Sequence, residues 1–148
     1  MEPNIEYLEE VFADLRRTVI SQQNTIEENN KIFEKKVDSF FNDVLSVLDA
    51  FEKAEEIIKE RELDKDENSQ KIIKRFLSAK KKVVSLLNNN SVSEITFENG
   101  LMRDSDCLVT DTEPDSSKPE GSIISIEKKG YKRGERLLRP AEVIIVRN

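Results

Sequence analysis

The sequence from residue 12 to residue 47 reads FADLRRTVISQQNTIEENNKIFEKKVDSFFNDVLSV and contains neither glycine nor proline. An apolar side chain recurs at every seventh position, at Phe12, Val19, Ile26, Phe33, Phe40 and Val47. A seven-residue apolar repeat is typical of a coiled coil, in which these side chains form the seam between paired helices. We therefore predict a long helix whose six ladder residues, as we call them, mediate dimerisation.

The second seam position of the same repeat holds Leu8, Leu15, Gln22 and Asn29. Its two polar members would weaken the seam but would fix its register and the number of strands. Alternatively, they mark the place where the paired helices separate. From Phe33 to Phe51 the apolar stripe becomes wider, which indicates that the seam opens into the core of a helical bundle.

A helix over residues 4–60 would be roughly 80 Å long at about 1.5 Å per residue. Asn4 is its predicted N-cap, because a short polar side chain at that position accepts a hydrogen bond from a free backbone N–H group. A chain of 148 residues cannot enclose the apolar face of so long a helix. We therefore expect a homodimer, in which a second copy supplies the partner helix.

A change of composition near residue 91 separates a helical part from a β part. Residues 1–90 contain one proline and no glycine, whereas residues 91–148 hold all four glycines and the other three prolines. Before this boundary, a polar loop over residues 64–68 precedes a second helix, for which Ser69 is the predicted cap. That helix should end at residues 88–90, since asparagine tolerates the left-handed conformation found at helix ends.

The part after residue 91 predicts short strands. Apolar or alternating segments occur at residues 92–97, 107–109, 122–126, 137–138 and 143–146. Asn99-Gly100 is a strong turn signal, and residues 111–121 read as a loop. The predicted fold class is α+β, with a long coiled-coil helix and a short-helix bundle followed by a small, mostly antiparallel β domain. We place a dimerisation helix at 1–45, a helical bundle segment at 46–90 and the β domain at 91–148.

The composition argues against several functions. Charged residues make up 36% of the chain, there is no histidine, and the formal net charge is −6. No phosphate-binding glycine loop, nucleophile constellation or metal-ligand cluster is recognisable, so we expect neither an enzyme nor a bound cofactor or metal. The acidic charge disfavours nucleic acid as a partner, and no apolar run approaches the roughly 18 residues of a membrane span. The single Cys107 fits a reducing compartment, which favours the cytoplasm.

Positive charge is concentrated near the C-terminus. Residues 122–148 hold seven Lys and Arg against three Glu, a local balance of +4. One interpretation is a docking face for an acidic partner surface. The other is a solvated hairpin whose lysines keep an edge strand from aggregating.

Three segments resemble the GrpE family. KGYK at 129–132, RLLRPA at 136–141 and VIIV at 143–146 together are similar to the C-terminal signature of that family. VLDAFEKA at 47–54 resembles the segment that opens its helical bundle, and residues 76–95 are similar, more weakly, to the helix before its β domain. The resemblance covers roughly residues 30–148.

The resemblance implies a nucleotide exchange factor, a co-chaperone in protein folding and the stress response. Such a protein would dock on the ATPase domain of a DnaK-type chaperone and hold its nucleotide cleft open, so that ADP leaves. It would touch the adenine nucleotide only through its partner. Arg136 and Ile145 match family contact positions, and Lys129, Lys132 and Arg139 complete the implied partner-binding set, although Arg139 could instead form a buried structural pair.

An alternative is a coiled-coil adaptor of GrpE-like fold that has lost exchange activity and binds another protein through its basic hairpin. The family usually carries a motif with proline and histidine before the KGY segment. Residues 101–109, which read LMRDSDCLV, contain neither residue.

Overall fold

The computed structural model describes residues 4–148 of the chain; residues 1–3, with which the predicted dimerisation domain begins, lie outside the described residues. Two helices precede six strands. They are α1 (Ile5–Glu60), α2 (Glu67–Asn89), β1 (Val92–Glu94), β2 (Cys107–Glu113), β3 (Ile123–Lys128), β4 (Tyr131–Arg133), β5 (Arg136–Arg139) and β6 (Ala141–Val146). The predicted α+β class and the predicted first helix are confirmed.

The chain divides into two compact units, residues 1–39 and residues 40–148. The described part of the first unit is the N-terminal portion of α1, and the Asn4 side chain accepts a hydrogen bond from the Glu6 N–H at 3.2 Å, as predicted for the N-cap. Its ladder residues lie in solvent, with Phe12 exposed to 69% and Phe33 to 63%. In a single chain this face of the helix is therefore apolar surface.

In the second unit, the rest of α1 buries Phe41, Leu45 and Leu48. The spacing of four and three residues puts these side chains on one face of the helix. α1 and α2 also meet through the rings of Phe51 and Phe76, whose centroids are 5.0 Å apart.

The ends of α2 differ in detail from the prediction. Asp66 is the N-cap, and its Oδ1 accepts a hydrogen bond from the Ser69 N–H at 3.0 Å, so Ser69 is the third residue of the helix and the predicted cap was wrong. A carboxylate at this position also complements the helix dipole, which a hydroxyl cannot do. The helix ends at the asparagines as predicted, but the left-handed residue is Ser91, with φ 60°, whereas Asn90 has φ −104°.

Two three-stranded sheets follow, with strand orders β1-β4-β5 and β2-β6-β3. All neighbouring strands are antiparallel except β2 and β6, which are parallel. β2 continues to Glu113, so the loop predicted from residue 111 begins too early. The residues after Val109 are polar, and they form a strand because β6 supplies backbone partners as far as Val146.

The core of the second sheet consists of Ala141, Val143 and Ile145. The partly buried side chains packed on it are Phe97, Met102, Cys107, Val109 and Ile123. Beside it, the backbone of Gly130 approaches Ala141 so closely that a Cβ on Gly130 would lie 2.4 Å from the Ala141 nitrogen. Only glycine fits there, because any larger side chain would collide with the Ala141 backbone.

Candidate docking hairpin

The predicted basic patch is centred on a hairpin formed by β4 and β5. Gly134 occupies its turn with φ 58°, a conformation that favours glycine. The Gly134 N–H donates to the Ser91 carbonyl at 2.9 Å, which ties the turn to the start of β1. Arg136 and Leu137 are exposed beyond the turn, Leu137 to 44%. The hairpin tip therefore presents a cation beside an apolar side chain.

Arg139, at the end of β5, lies beneath this tip. Its Nη1 and Nη2 atoms donate to the two carboxylate oxygens of Asp49 on α1, at 2.7 and 2.6 Å. Its Nε donates to the Lys129 carbonyl at 2.9 Å, and its guanidinium carbon is 5.4 Å from the centre of the Tyr131 ring. Only 13% of the Arg139 side chain is exposed. Of the two roles left open by the sequence, this geometry favours the structural pair.

Lys129 forms a second link between the β part and α1. Its ammonium is 2.8 Å from Glu52 on α1 and 3.5 Å from Glu94 on β1. Burial alone would lower the pKa of Lys129, but the hydrogen bond to Glu52 and the charge of Glu94 outweigh burial and raise that pKa. The lysine therefore stays protonated where it joins the two elements.

Lys132, on β4, pairs with Asp106 at 2.8 Å. Arg103 contacts the other oxygen of Asp106 at 2.9 Å, and the Asp106 side chain is only 4% exposed. The hydrogen bond from Lys132 is the main reason why the pKa of Asp106 is lowered. A buried carboxylate with two cationic partners stays charged and anchors β4 to the segment before β2.

Tyr131 serves as a packing residue of this region. It is 5% exposed, and burial raises the pKa of its phenol to about 12. The ring therefore remains neutral at physiological pH and supports the guanidinium of Arg139.

Ile145 lies in a different environment from the tip. It is 8% exposed and belongs to the core of the second sheet. On α1, the ladder residues of the second unit are open to solvent, with Phe40 exposed to 56% and Val47 to 50%.

Within residues 4–148, no cluster of three or more acidic or cysteine side chains is arranged to hold a metal ion. Neither described helix combines the length and the apolar character needed to cross a membrane.

Sequence reasoning missed the acidic partners of the basic residues. The structure pairs Asp49 with Arg139, which is 90 residues away in the sequence. The pairing of Glu52 and Asp106 could not be predicted, because the sequence of a highly charged chain does not distinguish a paired carboxylate from a solvated one.

Comparison with known proteins agrees with the resemblance noted above. The model of the GrpE family matches residues 4–147. A Protein GrpE from Parvibaculum lavamentivorans is 26% identical over 151 residues, covering 95% of this chain and 71% of the relative. A Protein GrpE from Nitratiruptor sp. is 26% identical over 142 residues, covering 93% of this chain and 75% of the relative. The GrpE protein homolog 1, mitochondrial, from Arabidopsis thaliana is 28% identical over 145 residues, covering 86% of this chain and 46% of the relative.

Proposed function

Because the chain belongs to the GrpE family, whose members are nucleotide exchange factors of DnaK-type chaperones, we propose that it binds the ATPase domain of such a chaperone, opens the nucleotide cleft and promotes ADP release. The observation that carries this proposal is the family match, which extends over residues 4–147 and so includes both helices and both sheets.

This function requires no catalytic side chain. An exchange factor prefers an open state of its partner that ADP disfavours. By thermodynamic linkage, the exchange factor weakens ADP binding by the same factor by which ADP weakens binding of the exchange factor. Each tenfold preference corresponds to about 1.4 kcal/mol of coupling free energy. The protein needs only a contact surface that is held at a defined place. A chain without histidine can supply such a surface, because no general base is required.

The contact surface that we propose is the hairpin tip. Arg136 offers a guanidinium beside the apolar Leu137, and arginine next to apolar surface is a common anchor of protein interfaces. Lys129 and Lys132 flank the tip, and because they pair with Glu52 and Asp106 they would contribute to docking mainly by holding the strands in place. Arg139 and Ile145 would act from below, by supporting the strands that carry the tip.

We also propose that the ladder residues form the seam of a homodimer. Phe12 and Phe33 of the first unit and Phe40 and Val47 of the second are at least half exposed in the single chain. Burial against a second copy would remove this apolar surface from water. The compartment that we propose is the cytoplasm, because the single Cys107 fits a reducing environment.

The proposal is tested by the release of a fluorescent ADP analogue from a DnaK-type chaperone of the same source. We expect purified protein to accelerate release in a saturable manner after excess unlabelled ATP is added. Saturating protein that binds the chaperone without accelerating release would favour the adaptor alternative. No binding to the chaperone at all would refute the proposed partner.

A further inference from the structure

One side of α1 carries polar side chains that hold the hairpin; we call Asn42, Asp49 and Glu52 the clasp residues. Asn42 Nδ2 donates to the Leu138 carbonyl on β5 at 3.4 Å. Asp49 accepts the double hydrogen bond from Arg139, and Glu52 pairs with Lys129 just before β4. At about 100° per residue, three positions spaced seven and three apart lie within roughly 80° of one another around the helix.

The clasp differs in kind from the contacts that fold the hairpin itself. β4 pairs with β5 and with β1 through backbone ladders. Within residues 4–148, by contrast, no backbone hydrogen bond joins α1 to the hairpin. Loss of a clasp side chain should therefore leave the hairpin folded but less restrained against the helix.

The Asp49–Arg139 pair is the most restrictive of these links. Two parallel hydrogen bonds from a planar guanidinium fix direction as well as distance, whereas a lysine contact fixes distance alone. The same guanidinium also holds the Lys129 carbonyl at 2.9 Å. One side chain therefore connects α1 to both the start and the end of the hairpin.

The opposite side of α1 carries the ladder. Val47 is two residues from Asp49, which places it about 200° around the helix. Val47 is 50% exposed, whereas the Asp49 side chain is 32% exposed and faces Arg139. The same helical segment thus holds the hairpin on one side and presents a ladder residue on the other.

We propose that Asp49 is a positioning residue, which fixes the orientation of the docking hairpin on α1 and thereby sets the maximal rate at which bound protein drives ADP release. The second half of this statement rests on the proposed function. A hairpin that keeps its tip but loses its fixed direction would still bind the chaperone. It would spend less time in the orientation that opens the cleft.

The orientation is measured first, without a chaperone. Spin labels on Lys53→Cys and Glu135→Cys, in a Cys107→Ala background, report the distance between α1 and the hairpin turn. Labelled chain is diluted into excess unlabelled chain, so that each distance arises within one copy. We expect a narrow distance distribution in the parent and a broader or shifted one after Asp49→Ala.

Asp43→Ala is the matched control, because Asp43 is exposed on the same helix and its replacement removes the same charge. We expect it to leave the distribution unchanged. Arg139→Lys, which keeps the positive charge but cannot bridge both carboxylate oxygens, should give an intermediate width. This variant also keeps the test valid if Asp49→Ala fails to fold.

ADP release is then measured over a range of protein concentrations. For Asp49→Ala we expect the maximal rate to fall about tenfold, while the half-saturating concentration changes by less than about twofold. An unchanged distance distribution would overturn the positioning role, whatever the release rates. A broadened distribution with an unchanged maximal rate would overturn its link to exchange. If the parent protein fails to accelerate release, the proposed function fails, and the distances alone decide whether the clasp exists.

Discussion

Arg139 illustrates how one residue can serve a structural role within a basic region that is proposed to bind a partner. Its charge is neutralised by Asp49, and its side chain is mostly buried. Net charge over a segment therefore overstates the positive surface that a partner meets. On this hairpin, Lys129 and Lys132 are also engaged with carboxylates. We propose Arg136 for direct contact because its side chain is exposed at the hairpin tip.

The first prediction concerns Arg136. Arg136→Ala should weaken chaperone binding by about 1–2 kcal/mol, as expected for an exposed arginine within an interface. Its melting temperature should stay near that of the parent, because replacing an exposed side chain changes stability by about 0.5 kcal/mol or less. Titration with the chaperone ATPase domain measures the change in binding, and a thermal melt measures the change in stability.

Arg147→Ala is the control for Arg136→Ala. Arg147 is exposed at the end of β6, and its replacement removes an identical charge from the same part of the chain. Equal weakening by both variants would indicate a general charge effect, and a large fall in the melting temperature of Arg136→Ala would mark Arg136 as structural.

The second prediction concerns Asp106 and pH. Its pKa is lower in the folded protein, chiefly because Lys132 donates a hydrogen bond to it. The stabilisation is therefore complete above the ordinary carboxyl value of about 4 and is lost as the pH falls through the folded value. Urea unfolding should show that Asp106→Asn has a much lower free energy of unfolding than the parent protein near neutral pH. The difference should be smaller well below pH 4.

Asp104→Asn provides the comparison, since Asp104 is exposed and carries the same charge two residues earlier. We expect little loss of stability from this variant at neutral pH. A deficit of Asp106→Asn that stays constant down to strongly acidic pH would contradict the proposed ion pair.

Among the secondary-structure elements, α1 was predictable from local patterns, whereas the end of β2 was not. The start of α1 and its unbroken length follow from an asparagine cap, a long apolar repeat and the absence of glycine and proline, all of which act between near neighbours. The end of β2 does not, because Asp111, Thr112 and Glu113 become a strand only by pairing with β6. Strand length is thus partly a property of the partner strand.

The third prediction concerns the start of α2. Asp66→Ala should destabilise the protein by about 1 kcal/mol, because the N–H of Ser69 loses its acceptor at the helix N-terminus. Ser69→Ala should cost less, since Ser69 is inside the helix and its backbone N–H remains capped. Denaturant unfolding of both variants would compare the two positions. A larger loss for Ser69→Ala would contradict the assignment of the cap.

For the whole molecule, the main open surface is the ladder of α1. Soluble monomeric proteins rarely expose a large continuous apolar surface without a partner. The described residues of the first unit contain one helix segment, so this unit has no core of its own in the single chain.

The fourth prediction is that Val19→Asp together with Ile26→Asp converts the proposed dimer into a monomer. Two buried carboxylates facing their symmetry mates would be neither solvated nor paired. Light scattering should give the mass of one chain, 17.1 kDa, instead of two. Ser21→Asp together with Asn24→Asp adds the same charge at exposed positions off the seam and should remain dimeric. A two-chain mass for the Val19 and Ile26 variant would refute the seam.

Local patterns determined the two helices, the boundary near residue 91 and the segments that resemble the family. Periodicity, capping and turn chemistry depend on residues close together in the chain, so they can be read without a structure. The pairing of Arg139 with Asp49, of Lys132 with Asp106, and of β2 with β6 depended on the tertiary structure. These partners are far apart in sequence, and a charged or polar side chain has no local signal that distinguishes a solvated position from a paired one.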